Sequence, residues 1–225
     1  MKASLASFDL TLGQYVNAIP TRISSSARHF VFDVPDRPGD AQLAMLHALG
    51  LTTLDLGYDL KLHWDEASQT LALDKAAVEG KDLGSVSVAM LLGNAVRDLF
   101  GNDMTAAAAA GQAMTIKSLN LDLVNDGFLK LIYAATAKEQ NATPEAVQAM
   151  LGGTGKGMVL ALFGANPQSE DLATAVESFL EGAAKALSAE FTAKAPEGIP
   201  LSTLESAQDD PSAIANAIDI RANAQ

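Results

Sequence analysis

Residues 51–64, LTTLDLGYDLKLHW, alternate apolar with polar positions: Leu54, Leu56, Tyr58, Leu60, Leu62 and Trp64 on one side, Thr53, Asp55, Gly57, Asp59, Lys61 and His63 on the other. A period of two held this long predicts a strand with one face buried. At about 3.3 Å per residue it would extend for roughly 40 Å. The same pattern recurs in SFDLTLG, HFVFDV, TLALD, SVSVAMLL, SLNLDLV, LSAEFTAKA and AIDIRANA, which makes eight candidate strands. Nearly all carry a polar partner face, so the expected sheet is antiparallel with one side in water, since a doubly wound parallel sheet needs apolar residues on both faces.

Helical spacing fills the gaps. PGDAQLAMLHALG has Asp40 as a cap and Gly50 as a stop, and NAVRDLFGN, TAAAAAGQAM, DGFLKLIYAATAKEQN, TPEAVQAML, GMVLALFG, SEDLATAVESFLEGAAKA and PLSTLESAQDDPSAIANA follow. WDEASQT and DKAAVEGKDLGS read as hairpin connections. The helical mass falls between residues 126 and 185, after a meander and before two closing strands. The expectation is one α+β domain over residues 1–225: a long, curved, mainly antiparallel sheet of about eight strands with helices on its concave face.

The run LGGTGKGMVL, residues 151–160, invites comparison with a phosphate-binding loop. A Walker loop needs glycine five positions before the Gly-Lys pair and a hydroxyl after it, whereas Met150 and Gly157 stand there. The preceding TPEAVQAML is helical rather than a buried strand, with Thr143 as cap and Pro144 in the first turn, so the glycines read as a hinge between two helices. The three histidines, His29, His47 and His63, have no metal-ligand spacing, and no Gly-x-Ser-x-Gly elbow is present. Asp55 and Asp59 share a strand face but stand about 13 Å apart, too far to work as an acid-base pair. VNDGF and DVPDRPGD lack the spacing of a calcium loop and read as turns, VNDGF with a helix cap. No metal site, cofactor or catalytic residue is assigned.

Charge narrows the partners. Fifteen Lys and Arg face 27 Asp and Glu, a formal balance of −12, and phosphate backbones would be repelled, which excludes nucleic acid. Cysteine is absent, removing disulfides, thiol nucleophiles and zinc-thiolate sites together. The amino terminus lacks a signal-peptide pattern, and no run of 18 apolar residues spans a bilayer. The expectation is therefore either a cytosolic chain or a mature envelope protein whose leader or anchor lies elsewhere.

Apolar surface is the remaining candidate for function. Aromatics are only 5% of the chain and alanine is abundant, so thin helices over a wide sheet would leave a slot between the layers. The expected lining is Leu54, Leu56, Tyr58, Leu60, Leu62, Trp64, Val88 and Met90 on strands, with Phe128, Ile132, Val159 and Phe163 on helices. An acyl chain gains roughly 0.8 kcal/mol per buried methylene in such a slot.

The segments LTTLDLGYDLKLHWDEASQTLAL, LGSVSVAMLLGN, AEFTAKAPEGIPLSTL and DPSAIANAIDIRANA together resemble uncharacterised envelope proteins of Gram-negative, alphaproteobacterial type. They are also similar in texture to the AsmA-like and LolA-like proteins that handle lipids in the periplasm. The resemblance covers pattern rather than a residue motif, and it implies a periplasmic location and a concave apolar sheet. The leading expectation is non-enzymatic binding or transport of a lipid or other apolar small molecule in the envelope. The alternatives are an envelope scaffold with a solid core that binds a protein partner through an edge strand or its acidic last third, and, third, an enzyme of hydrolase type.

Overall fold

The alternation read in residues 51–64 is carried by β3 (Thr53–Asp65), which runs without a break in the middle of a sheet. The structure, a computed structural model, describes residues 2–37, 39–206 and 212–225. Around β3 stand β1 (Ala3–Val16), β2 (Ile19–Asp33), β4 (Thr70–Gly80), β5 (Gly84–Gly93), β6 (Thr115–Asn125), β7 (Ala186–Ala193), β8 (Ile199–Pro200) and β9 (Ile218–Ala224). Their order is β1-β2-β3-β4-β5-β6-β7-β9, antiparallel at every step, with the short β8 paired to β6. The fold is α+β, as the alternating faces predict.

Directly opposed residues on neighbouring strands present their side chains on the same face. One row across the whole sheet reads Phe8, Ala27, Tyr58, Val78, Val86, Leu123, Leu187, Ala224. The next reads Leu10, Ser25, Leu60, Ala76, Val88, Leu121, Ala189, Ala222, and a third Leu12, Ile23, Leu62, Leu73, Met90, Leu119, Phe191, Ile220. Ser25 is the polar exception, and its hydroxyl is matched by the Tyr58 hydroxyl at 2.8 Å. The opposite face carries Asp9, Ser26, Asp59, Ala77, Ser87, Asp122, Ser188 and Asn223 in line.

Register shifts put extra residues into β2 between Ala27 and Phe30, into β4 between Leu73 and Ala76, and into β6 between Ile116 and Ser118. Each bulge bends its strand and raises the local twist, so the sheet curves while its apolar rows stay aligned. At the first of them His29 takes φ of 50°.

Among the described residues seven helices follow in chain order: α1 (Ala41–Ala48), α2 (Met104–Gln112), α3 (Phe128–Gln140), α4 (Pro144–Phe163), α5 (Pro167–Leu180), α6 (Leu201–Ser206) and α7 (Ser212–Ala217). The caps are those the residues predict: the Asp40 carboxylate accepts from Leu43 N–H at 3.2 Å, and the Thr143 hydroxyl oxygen accepts from Ala146 N–H at 3.2 Å. Helices α3 to α5 pack over the β7 and β9 side. One cluster joins Leu129, Tyr133, Val147 and Phe179 to Leu187, and another joins Val159, Leu172 and Ala173 to Ala189, Ile218 and Ile220. A third core, Val16, Trp64, Ala95 and Met114, closes the far end of the long strands.

Four local expectations are corrected. The glycine run is not a hinge: it lies inside α4, which is continuous from Pro144 to Phe163. A Cβ on Gly155 would stand 2.4 Å from Leu180 Cδ1 of α5, so the glycine serves close helix contact instead of a turn. The hairpin expected at DKAAVEGKDLGS is shorter, because β4 continues to Gly80. NAVRDLFGN forms a single 3-10 turn, Arg97–Phe100, and the helix expected over 200–217 appears as α6 and α7, with residues 207–211 outside the described residues.

Candidate functional site

The apolar rows cross all eight long strands, but the helices cover only part of them. Leu187 and Ala189, under the helices, are each 4% exposed. On the other side Phe8 is 56% exposed, Leu10 54%, Val78 55% and Val86 48%. A hydrophobic floor therefore continues beyond the edge of the helical layer.

Where the layer ends, a slot of about 330 Å³ opens. Its sheet side is Leu56, Val78, Val86, Leu123 and Val124, and its helical side is Phe128, Leu129 and Phe179. Gly84 starts β5 at this point with φ of 122°, and a Cβ there would meet Val124 O at 1.9 Å, so only glycine lets the two strands approach so closely. The turn into α3 is fixed by the Asn125 side chain, whose oxygen accepts from Gly127 N–H at 3.2 Å and Leu129 N–H at 3.0 Å. That bond sets Phe128 at the mouth, 49% exposed.

Around the β4–β5 turn from the slot, on the opposite face of the sheet but sharing Leu56, Gly80, Gly84 and Ser85 with it, lies a polar basin of about 320 Å³ lined by His29, Asp55, Glu79, Lys81, Asp82 and Asp126. Within it His29 Nδ1 stands 3.2 Å from Asp55, and at its border Glu79 is reached by Arg28 at 3.3 Å, whose other arm meets Asp59 at 3.2 Å. A further gap of about 610 Å³ separates α1 from α3, between Ala44, Met45 and Ala48 on one side and Leu131, Ala134 and Ala135 on the other.

The twelve residues expected to line the site are divided among these places. Leu54, Leu56, Tyr58, Leu60 and Leu62 share one face of β3, half-buried, and Val88 and Met90 continue their rows on β5. Leu56 and Phe128 meet at the slot. Trp64 lies on the same strand face but belongs to the far core, where its ring is 4.8 Å from Phe100 and its indole N–H donates to Ala95 O at 2.6 Å. Ile132 packs against the α3–α5 core, Val159 is buried over β7 and β9, and Phe163 stacks on Phe191 at 6.0 Å. Beneath α4 and α5 the layers are closed, so the open space lies beside the helices rather than under them. Val78, Leu83, Val86, Leu123 and Phe179 line the slot without having been picked out; Val86 shares the alternation of Val88 and Met90, the signal that marks it.

Other chemistry is absorbed by structure. His47 Nε2 stands 3.0 Å from Val34 O, and His63 Nδ1 2.7 Å from Asp74. Burial raises the Tyr133 hydroxyl above its ordinary value, assisted by the nearby Glu181 carboxylate, and the hydroxyl donates to Leu180 O at 2.5 Å. Among the described residues no group of three or more His, Asp or Glu could hold a metal ion. By length and composition α4 alone among the described helices could cross a membrane, with mean hydropathy 1.2; its Lys156 pairs with Glu177 of α5 at 2.7 Å.

No curated protein and no solved structure matches the chain. A model of a protein family described as "Uncharacterized protein" matches residues 77–225, which is more than half of the chain and includes β5 to β9 with α2 to α7, and the chain belongs to that family.

Proposed function

We propose that this chain binds an amphipathic lipid, or another ligand bearing an acyl chain, without chemical turnover, and does so in the bacterial envelope. The tail lies on the uncovered part of the apolar sheet face and enters the slot between the β4–β5 hairpin and α3. The polar basin around the β4–β5 turn from the slot takes the headgroup. The observation that carries this reading is the mismatch in extent: apolar rows continue across every long strand, while the helices cover the β7 and β9 side. Each methylene moved from water onto that floor contributes roughly 0.8 kcal/mol, so a tail of moderate length outweighs the cost of ordering it. Four carboxylates in the basin against Lys81 and His29 favour a neutral or cationic headgroup over an anionic one.

The test is retention of lipid through purification, read by native mass spectrometry and by lipid analysis after solvent extraction. Val78→Lys with Val86→Asp puts charge on the floor at two exposed positions that face each other across β4 and β5, where the opposite signs pair. The wild type is expected to carry a stoichiometric lipid and the double variant to be empty, with unchanged circular dichroism. Equal lipid content in both, or none in the wild type even after incubation with a lipid extract, overturns the proposal.

A further inference from the structure

The two edges of the sheet differ in a way that points to a partner. At β9 the sheet ends in seven residues that include Asp219 and Arg221, and α5 closes the edge. The Gln168 side chain accepts from Ile220 N–H at 3.2 Å and donates to the Asp219 carboxylate at 3.3 Å. Among the described residues β1 has no such guard. It is 14 residues long, Asp9 is its one charged side chain, it contains no proline, and no described strand lies beyond it. Long, weakly charged edges are what soluble proteins avoid unless something pairs with them.

We propose that β1 pairs, antiparallel and about a two-fold axis at Leu10, with β1 of a second copy of this chain. β1 keeps one register with β2 from Ala3 to Gly13, and Gln14 at φ of 51° ends the regular stretch. Its large apolar side chains on the floor face are Phe8, Leu10 and Leu12, with Leu10 the middle one. With the axis there, Leu10 faces itself, Phe8 faces the second copy's Leu12, and Asp9 faces the second copy's Thr11. An axis at Asp9 sets Asp9 against Asp9, one at Phe8 leaves Leu10 and Leu12 against Ala6 and Ser4, and one at Thr11 sets Phe8 against Gln14. An odd shift turns the apolar face of one copy onto the polar face of the other. Only the Leu10 register pairs Phe8, Leu10 and Leu12 among themselves, matches the faces and separates the carboxylates, so the strand is complementary to itself. The apolar floors of the two copies then join into one. This contact stands whether or not the floor carries a ligand.

Sedimentation velocity over the micromolar range tests it. The wild type is expected to be a reversible dimer. Leu10→Lys is expected to weaken it by roughly a hundredfold or more, because like charges meet at the axis. Leu10→Glu is expected to do the same, and an equimolar mixture of the two variants to dimerise again, since only an axis at residue 10 brings those positions together. Thr11→Lys, facing Asp9 twice, should tighten the dimer, and Thr11→Asp should loosen it. Leu10 is 54% exposed, so these variants are expected to keep the wild-type circular dichroism. A monomeric wild type, a dimer unaffected by Leu10→Lys, or charge variants that stay monomeric when mixed would each overturn the proposal.

Discussion

Gly155 and Gly157 sit two positions apart in α4, and the structure assigns them opposite responses to the same substitution. Replacing glycine by alanine inside a helix gains about 1 kcal/mol from reduced backbone freedom in the unfolded chain. At Gly157 nothing lies within 4 Å of the new Cβ, so Gly157→Ala should keep most of that gain. At Gly155 the Cβ would stand 2.4 Å from Leu180 Cδ1 and 3.0 Å from Val176 Cγ1, both on α5. Overpacking of this kind costs about 1–3 kcal/mol, which offsets or exceeds the helix gain. The two variants should therefore differ by about 2 kcal/mol, and at this chain length that corresponds to roughly 4–8 °C in Tm. Thermal and urea denaturation followed by circular dichroism measures the difference. If Gly155→Ala stabilises as much as Gly157→Ala, α4 does not press on α5 at Leu180. If both destabilise strongly, the glycines occupy a hinge after all and the continuous helix is wrong.

Trp64 is the sole tryptophan, and Trp64→Phe leaves the carbonyl of Ala95 without its donor; a loss of about 1–3 kcal/mol in urea denaturation is expected. Trp64→Ala also opens a cavity and should lose about 3–5 kcal/mol. Tyr133 adds a pH dependence. Its folded value lies above its ordinary 10.0 because burial disfavours the phenolate, so its contribution is fully present below the unfolded value and is lost as pH rises through the folded one. The wild type should lose stability on the alkaline side more steeply than Tyr133→Phe, with the two compared at matched pH by thermal melts.

The apolar face of β3 was legible because six alternating positions in one strand leave no other period. β2 was read only from His29 onward, since Pro20 and the Ser24–Ser25–Ser26 run hide the alternation of its first part. Ser25 occupies an apolar row and is tolerated there because Tyr58 takes its hydroxyl, a long-range match that no local window reveals. The helices in α4 were separated by glycines whose purpose, room for Leu180 and Glu181, lies in another element. The same limit applies to the site. Periodicity identified the greasy side of each strand, but which part the helices would cover depends on how α3 to α5 dock. Val159 and Phe163 thus went into closed core while Val78 and Val86 stayed open.

The meander has a consequence for biosynthesis. From β1 to β5 the strands pair with their sequence neighbours, so these hairpins can assemble as the nascent chain leaves the ribosome, their contacts being short in sequence. The helices that shield the sheet come from residues 128–180, and β7 and β9 come later still. For much of translation, five ribbons with one oily surface precede the segments that cover any of it. Such an intermediate is a natural client for holdase chaperones, and shortening the chain before β7 should turn a soluble product into an aggregating one.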